Sequence, residues 1–178
     1  MQAKTSLVTL EDLEFLPYLE DGAIAEHLSK KIGVYAIYDE AKELMFVGYS
    51  RDVYSSLKQH LVRHPQSCFW FKLQTIHRPS RAVLEATKQA WLAEQGIPYG
   101  NREEDTSWTQ AIDTKQMMSE AEKAQYEAAS DGLQQTKILK QVARRVQAQI
   151  EAQLQQRNLT TEIRFNPKLK ERGLLDLK

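Results

Sequence analysis

Two histidines one helical turn apart, His60 and His64, are the first pair in this chain whose spacing could do chemistry. Side chains four residues apart on a helix face the same way and could share a metal ion. No third ligand stands at a recognisable spacing, so polar surface histidines are the plainer reading. Cys68 is the one cysteine, which excludes an internal disulfide and a cysteine-built zinc site. It opens an apolar run, where a buried inert thiol is expected. The sequence has no glycine-rich phosphate loop, no Gly-x-Ser-x-Gly elbow and no His-Glu-x-x-His pair. What is left is Gly33-Val34-Tyr35, Phe46-Val47-Gly48 and Ser50-Arg51-Asp52, with Glu85 and Asn101 further along. Around them charge is segregated: residues 51–88 hold seven Lys/Arg against two acids, and three of the four histidines. Such an excess gives the electrostatic footprint of a phosphate-backbone binder, although a charge run taken alone is more often a solvated face.

The elements that must position these residues follow from pattern. Ile32–Tyr38 is β-branched and aromatic and reads as a strand, with Val34, Ala36 and Tyr38 on one face and Gly33, Tyr35 and Ile37 on the other. A polar turn over Asp39–Lys42 leads to a second strand, Leu44–Gly48, completing a hairpin. Ser50 or Asp52 can cap a helix whose stripe is Val53, Leu57 and Leu61, ended by Pro65. Cys68–His77 is a third strand. Ser80 caps a further helix with Val83, Ala86, Thr87, Ala90 and Trp91 on one face, closed by Gly96, Pro98 and Gly100. Ahead of the hairpin, Thr9 with Glu11 and Asp12 could open a short helix, and Asp21-Gly22 precedes a second one ending near Lys31. Behind it, Leu139, Val142, Val146, Ile150 and Leu154 recur at helical spacing and predict one long amphipathic helix from near Ser130 or Asp131 to Gln156. A short strand over 162–165 and a basic tail from Pro167 complete the chain.

In this order and spacing the residues resemble the GIY-YIG nucleases, over about residues 32–101. The family's first tripeptide matches Gly33-Val34-Tyr35 and its second Phe46-Val47-Gly48. Ser50 matches the small hydroxyl residue after the second tripeptide, His60 the helix histidine, Glu85 the metal-binding carboxylate and Asn101 the closing asparagine. The runs Gly-Val-Tyr-Ala-x-Tyr-Asp, Phe-Val-Gly-x-Ser-Arg and Pro-x-Gly-Asn are also similar to the N-terminal domain fused to monothiol glutaredoxins of plant chloroplasts, and to stand-alone cyanobacterial relatives. Residues 102–178 contain no cysteine, so no glutaredoxin follows.

The resemblance implies a metal-dependent phosphodiesterase. One Mg²⁺ or Mn²⁺ would be held through Glu85 and waters. Tyr35 would orient or deprotonate the attacking water with His60 beside it, and Ser50 and Asn101 would order the site. Ser50, Arg51, Lys58, Arg63 and Asn101 would contact DNA, along a stretch that tracks the backbone with low sequence specificity. Tyr35 as a base would need a phenol pKa well below its usual value of about 10. Two departures weaken the expectation. Phe46 stands where the family has a tyrosine, and Ser56 where it has an arginine that neutralises charge on the scissile phosphate. Losing one such donor slows a reaction by roughly 10²–10³-fold. Arg63 lies on nearly the same helical face, but roughly 10 Å further along. Each residue also has a plainer reading: cross-strand packing for Tyr35 and Phe46, a solvated carboxylate for Glu85, turn chemistry for Asn101, a cap for Ser50.

With 178 residues, 42% hydrophobic, and 24 basic side chains balancing 24 acidic ones, the chain is long enough for one compact domain and an appendage. No run approaches the roughly 20 apolar residues of a membrane span, and no signal or transit leader is readable, so a cytoplasmic protein with no membrane partner is expected. The expected architecture is α/β (α+β). It comprises a helical lead-in over 1–31, a GIY-YIG-like domain over 32–101 with a small three-stranded, mainly antiparallel sheet, and a mostly helical extension over 102–178. Two functional readings stay open. One is a DNA-binding protein with an attenuated endonuclease. The other is a catalytically silent fold kept as a binding or regulatory module, redox-linked through Cys68 or contacting a partner or a second copy through helix 131–156.

Overall fold

The structure, a computed structural model, describes residues 7–178 and divides into two compact units, up to Trp108 and from Thr109 onward. The first six residues of the expected lead-in lie outside the described residues. No helix among the described residues is long and apolar enough to cross a membrane.

The first unit is built on the antiparallel sheet β1 (Leu16–Pro17), β2 (Ile32–Tyr38), β3 (Leu44–Ser50) and β4 (Trp70–Ile76), in the order β1-β4-β2-β3. The expected three strands are therefore four. The addition is the two-residue β1, whose Leu16 and Pro17 pair with Phe71 and Trp70. β2 is central, which is why it is buried on both faces and reads as an almost unbroken apolar run. Alternation sends Val34, Ala36 and Tyr38 into a core with Val47, Leu84 and Trp91, beneath helix α2 (Arg81–Gln95). Tyr35 and its register partner Gly48 face the other way, toward helix α1 (Val53–Arg63).

Asp52 caps α1 by accepting from the Ser55 amide at 3.2 Å, and Ser50 serves the cap from outside, its hydroxyl accepting from the Asp52 amide at 2.9 Å. The expected stripe of Val53, Leu57 and Leu61 is buried. Ser80 caps α2 as expected, but the helix is rotated from the predicted face. Leu84, Thr87, Trp91 and Leu92 point inward, while Val83 is 44% exposed.

The lead-in is not helical. The Leu10 and Glu11 amides donate to the Glu94 carboxylate at 2.9 and 3.0 Å, Lys72 Nζ donates to the Leu10 carbonyl at 2.8 Å, and Trp91 Nε1 donates to the Val8 carbonyl. With those backbone groups bonded to the core's side chains, only a single turn forms at Thr9–Asp12. Further along, a 3₁₀ turn over Glu26–Leu28 replaces the second expected helix.

The second unit contains α3 (Glu120–Ala128), α4 (Gly132–Gln156), the one-turn α5 (Pro167–Lys170) and a two-stranded ladder of β5 (Ile112–Asp113) with β6 (Leu174–Leu175). The long helix is present with its predicted stripe buried, and Ala143 joins it. α3 escaped the sequence reading although Ser119 and Glu122 form a reciprocal capping box. The strand expected over 162–165 reduces to a single bridge between Phe165 and Leu177, and the expected tail is folded into α5 and β6.

Candidate active site

Tyr35 and His60 meet on the α1 side of the sheet. The phenol oxygen lies 2.8 Å from His60 Nε2, and both residues are nearly inaccessible, at 3% and 5% exposure. Gly48 makes this possible. It lies opposite Tyr35 in the ladder, and a Cβ there would come within 2.7 Å of Phe46 Cε1 and 2.9 Å of the Tyr35 hydroxyl. Phe46 packs its ring 4.8 Å from His60. Trp108 then closes the cluster: 2% exposed, it stacks on Phe46 with an interplanar angle of 3°, lies 5.7 Å from His60, and stacks on His64 at 4.0 Å. His64 Nε2 is 2.9 Å from the Ser107 hydroxyl, and Arg63 donates to the Trp108 carbonyl at 2.8 Å, so the C-terminal turn of α1 grips the segment that carries Trp108.

Burial fixes the protonation states. It drives the Tyr35 phenol well above its ordinary range, against a hydrogen bond with Ser56 and the nearby charge of Arg63. It pushes His60 down to about 3, with the charges of Arg63 and His64 adding to the effect and the Trp108 backbone opposing it weakly. Both groups are therefore neutral at pH 7. A single proton is shared between the phenol oxygen and Nε2, supplied by the Tyr35 hydroxyl or by an Nε2–H according to the tautomer, and Nδ1 meets no hydrogen-bond partner of good geometry. The sequence reading of a surface residue is corrected for His60, which is buried inside the aromatic cluster, whereas His64 is half-buried at its edge, stacked on Trp108. Their Nε2 atoms also serve different partners, so they do not converge on a metal.

The other candidates lie elsewhere. Ser56, at the position of the expected arginine, donates to Ser50 Oγ at 2.7 Å. Ser50 is thereby tied to Tyr35 through Ser56, and to the helix cap through Asp52. Asn101 uses its whole amide on one residue: the Val47 amide donates to Oδ1 and Nδ2 donates to the Val47 carbonyl, each at 2.7 Å. Since β3 is an edge strand, Asn101 seals that edge, and Gly100 lets the chain approach, where a Cβ would meet the Met45 carbonyl at 2.5 Å. Lys58 is partly exposed on α1.

Glu85 stands on α2, which covers the opposite face of the sheet from α1. It accepts from Gln89 Nε2 at 2.8 Å, and the Tyr49 hydroxyl, Lys88 and Arg81 join in holding its carboxyl below the usual range. Beside it, a cleft of about 270 Å³ opens at the end of the sheet, between Ser50 and Arg51 after β3 and Ser80, Arg81 and Leu84 on α2. No acidic residue lines it.

Among the described residues no group of three or more His, Cys, Asp or Glu side chains gathers as a metal cage. A lone, already hydrogen-bonded carboxylate fits an ion that arrives with a phosphate and keeps most of its waters, as Mg²⁺ commonly does. It does not fit an ion resident in the free protein. Trp108 is the participant that sequence reasoning missed. Nothing marks it locally, since it sits in a polar stretch beyond the expected boundary of the first domain.

No family model matches this chain. It is similar to the bifunctional monothiol glutaredoxin-S16 of Arabidopsis thaliana, a chloroplast protein, at 33% identity over 103 residues. The alignment takes in 55% of this chain and 34% of that protein, so the chain spans about a third of its relative's length.

Proposed function

We propose that the first unit binds the phosphate backbone of a nucleic acid, DNA by its GIY-YIG resemblance, at the cleft between β3 and α2, and that phosphodiester hydrolysis there is attenuated. The observation that carries the binding is the cleft itself. Arg51 reaches it from the segment after β3 and Arg81 from the first turn of α2, the hydroxyls of Ser50 and Ser80 join them, and no carboxylate lines it. Contacts of this kind neutralise phosphates without reading bases, so sequence preference is weak.

Attenuation rests on three features. Ser56 supplies a hydroxyl where the resembling family supplies a fixed positive charge. Phe46 has no hydroxyl to offer. The Tyr35–His60 pair is neutral and roofed by Trp108, with the phenol moved away from the pKa a general base needs. One Mg²⁺ or Mn²⁺ bound together with phosphate would take Glu85 as its protein ligand and would supply neutralisation of the phosphate charge. The roof over Tyr35 and His60 also favours the second reading, in which the unit binds and never cleaves.

Supercoiled-plasmid nicking in Mg²⁺ and in Mn²⁺ separates them, with wild type beside Glu85→Ala, Tyr35→Phe and Ser56→Arg. Attenuated hydrolysis predicts slow nicking that both removals abolish and that Ser56→Arg accelerates 10-fold or more. Nicking that survives both removals would sink the site assignment. Binding without nicking in any variant would leave the silent module.

A further inference from the structure

In the second unit, four cations converge on a groove of about 220 Å³ between α4 and α5: Lys140 and Arg144 from α4, and Lys168 and Lys170 from α5. Lys137 continues the α4 row, since residues 137, 140 and 144 fall on one helical face. The lone acid lining the groove, Glu171, is paired with Lys140 at 3.1 Å. Among the described residues Arg144, Lys168 and Lys170 have no carboxylate partner, which leaves three uncompensated positive charges lining the slot.

Like charges that share a groove repel, and specific backbone contacts flank α5, which carries two of them. Gly173, at φ 71°, turns the chain after α5 so tightly that a Cβ would lie 3.1 Å from Leu139 Cδ2 of α4. The Gly173 carbonyl accepts from both the Thr114 amide at 2.9 Å and the Thr114 hydroxyl at 2.6 Å, the latter fully buried. The Asn166 amide donates to the Asp176 carbonyl at 2.9 Å on the other side of α5. A preassembled array of cations lowers the ordering cost of a polyanion that bridges them.

We propose that the α4–α5 groove is a second backbone-binding site for nucleic acid, separate from the cleft of the first unit. This rests on the nucleic-acid reading above for its partner class but uses none of the same residues. A membrane surface is the poorer occupant: charge alone contributes only modestly per basic residue there, firm docking adds apolar insertion, and the exposed large apolar residues among those described in this unit, Met117 and Leu133, do not line the groove.

The test is fluorescence-anisotropy binding of a labelled 20-base-pair duplex to the full chain between 50 and 300 mM KCl. It compares wild type, the triple variant Arg144→Gln/Lys168→Gln/Lys170→Gln, and the double variant Arg51→Gln/Arg81→Gln. Arg51, Arg81, Arg144 and Lys168 are exposed and Lys170 is partly so, and a circular-dichroism melt checks that folding is unchanged. Each phosphate contact contributes about 0.9 to the slope of log K against log salt, so the triple variant is expected to flatten that slope by about 2 to 3 and weaken binding at least tenfold at 100 mM. A triple variant that matches wild type while the double variant loses binding overturns this inference and leaves the first-unit reading standing. A double variant that matches wild type while the triple variant loses binding does the reverse. Absence of duplex binding by wild type at 50 mM overturns both. Loss by the triple variant of affinity for phosphatidylserine vesicles but not for duplex assigns the groove to lipid and overturns the proposal.

Discussion

The two faces of the four-stranded sheet hold two different kinds of chemistry. On the α1 face, Tyr35 and His60 are hydrogen-bonded, dry and neutral, enclosed by Phe46 and Trp108. On the α2 side, Arg51, Arg81 and Glu85 are solvated and charged around an open cleft. Proton-transfer groups gain from partial burial, and phosphate-binding groups gain from convergent charge. A phosphodiesterase needs both at one phosphorus atom. Here Ser50 and Ser56 are the chain of contacts running from the cleft toward Tyr35, and neither carries charge. On the proposed reading, the parts for holding a phosphate are therefore better developed than the parts for cleaving it.

The sharpest way to break the contrast is to remove the roof. Trp108→Ala is expected to cost about 3–5 kcal/mol of stability, as truncations of buried tryptophan do. It should also let water reach His60, whose pKa would climb from about 3 toward 6.5. Urea unfolding gives the first number, and the imidazole proton shifts in an NMR titration give the second. A His60 that still titrates near 3 in Trp108→Ala would show that Trp108 is not what keeps the pair dry. Next in size is Asn101→Ala, which strips two hydrogen bonds from Val47 on the edge strand. It should cost about 2 kcal/mol, near 1 for each bond, with faster hydrogen exchange at the Val47 amide. Asn101→Asp should be worse, because it sets a negative carboxylate oxygen against the Val47 carbonyl where Nδ2 donates.

Much of this was legible in the sequence because it depends on local pattern. The hairpin, both capped helices and the long α4 announce themselves through period and caps. Tyr35 and His60 were brought together by the family resemblance alone, while local pattern left His60 a surface histidine. What was not legible depends on contacts distant in sequence. The lead-in around Thr9 has the composition of a helix start, yet its backbone is claimed by Lys72, Trp91 and Glu94. Asn101 stood out only through the family resemblance, with turn chemistry its plainer reading, and only the edge position of β3 reveals that Val47 uses both ends of its amide. Val83 and Leu84 are both apolar, so periodicity alone did not fix which of them faces in. Trp108 had no motif to mark it, and its role follows from lying opposite Phe46 and His64 after the chain has crossed the sheet edge.

Acidification sharpens the comparison further. A buried histidine with a lowered folded pKa binds its proton more readily when unfolded, so its contribution to stability is present above about pH 6.5 and is lost as pH falls toward 3. Between pH 7 and pH 5 wild type should therefore lose about 2 kcal/mol that His60→Gln does not lose, since glutamine can still accept from the Tyr35 hydroxyl and has no proton to take up. Parallel urea titrations at the two pH values make the measurement. Equal losses in the two proteins would place the acid sensitivity in other groups, with His64 the first to test, because burial lowers its pKa too.

The smallest expected effect is at Glu85, and it bears on the solvated side. Glu85→Gln should leave the melting temperature within about 1 °C, because the carboxylate is partly exposed and surface interactions of this kind are worth little. In EDTA the variant should bind duplex DNA about twofold more tightly, since one negative charge is gone from beside Arg81 and Lys88. In Mn²⁺ the order should reverse: wild type gains affinity for duplex as the ion joins Glu85 to a phosphate, and Glu85→Gln does not. If both proteins gain equally, the ion is held by the nucleic acid alone. Arg51 and Arg81 would then be the whole of the cleft's contribution, and the solvated face would be a clamp with no metal ligand in it.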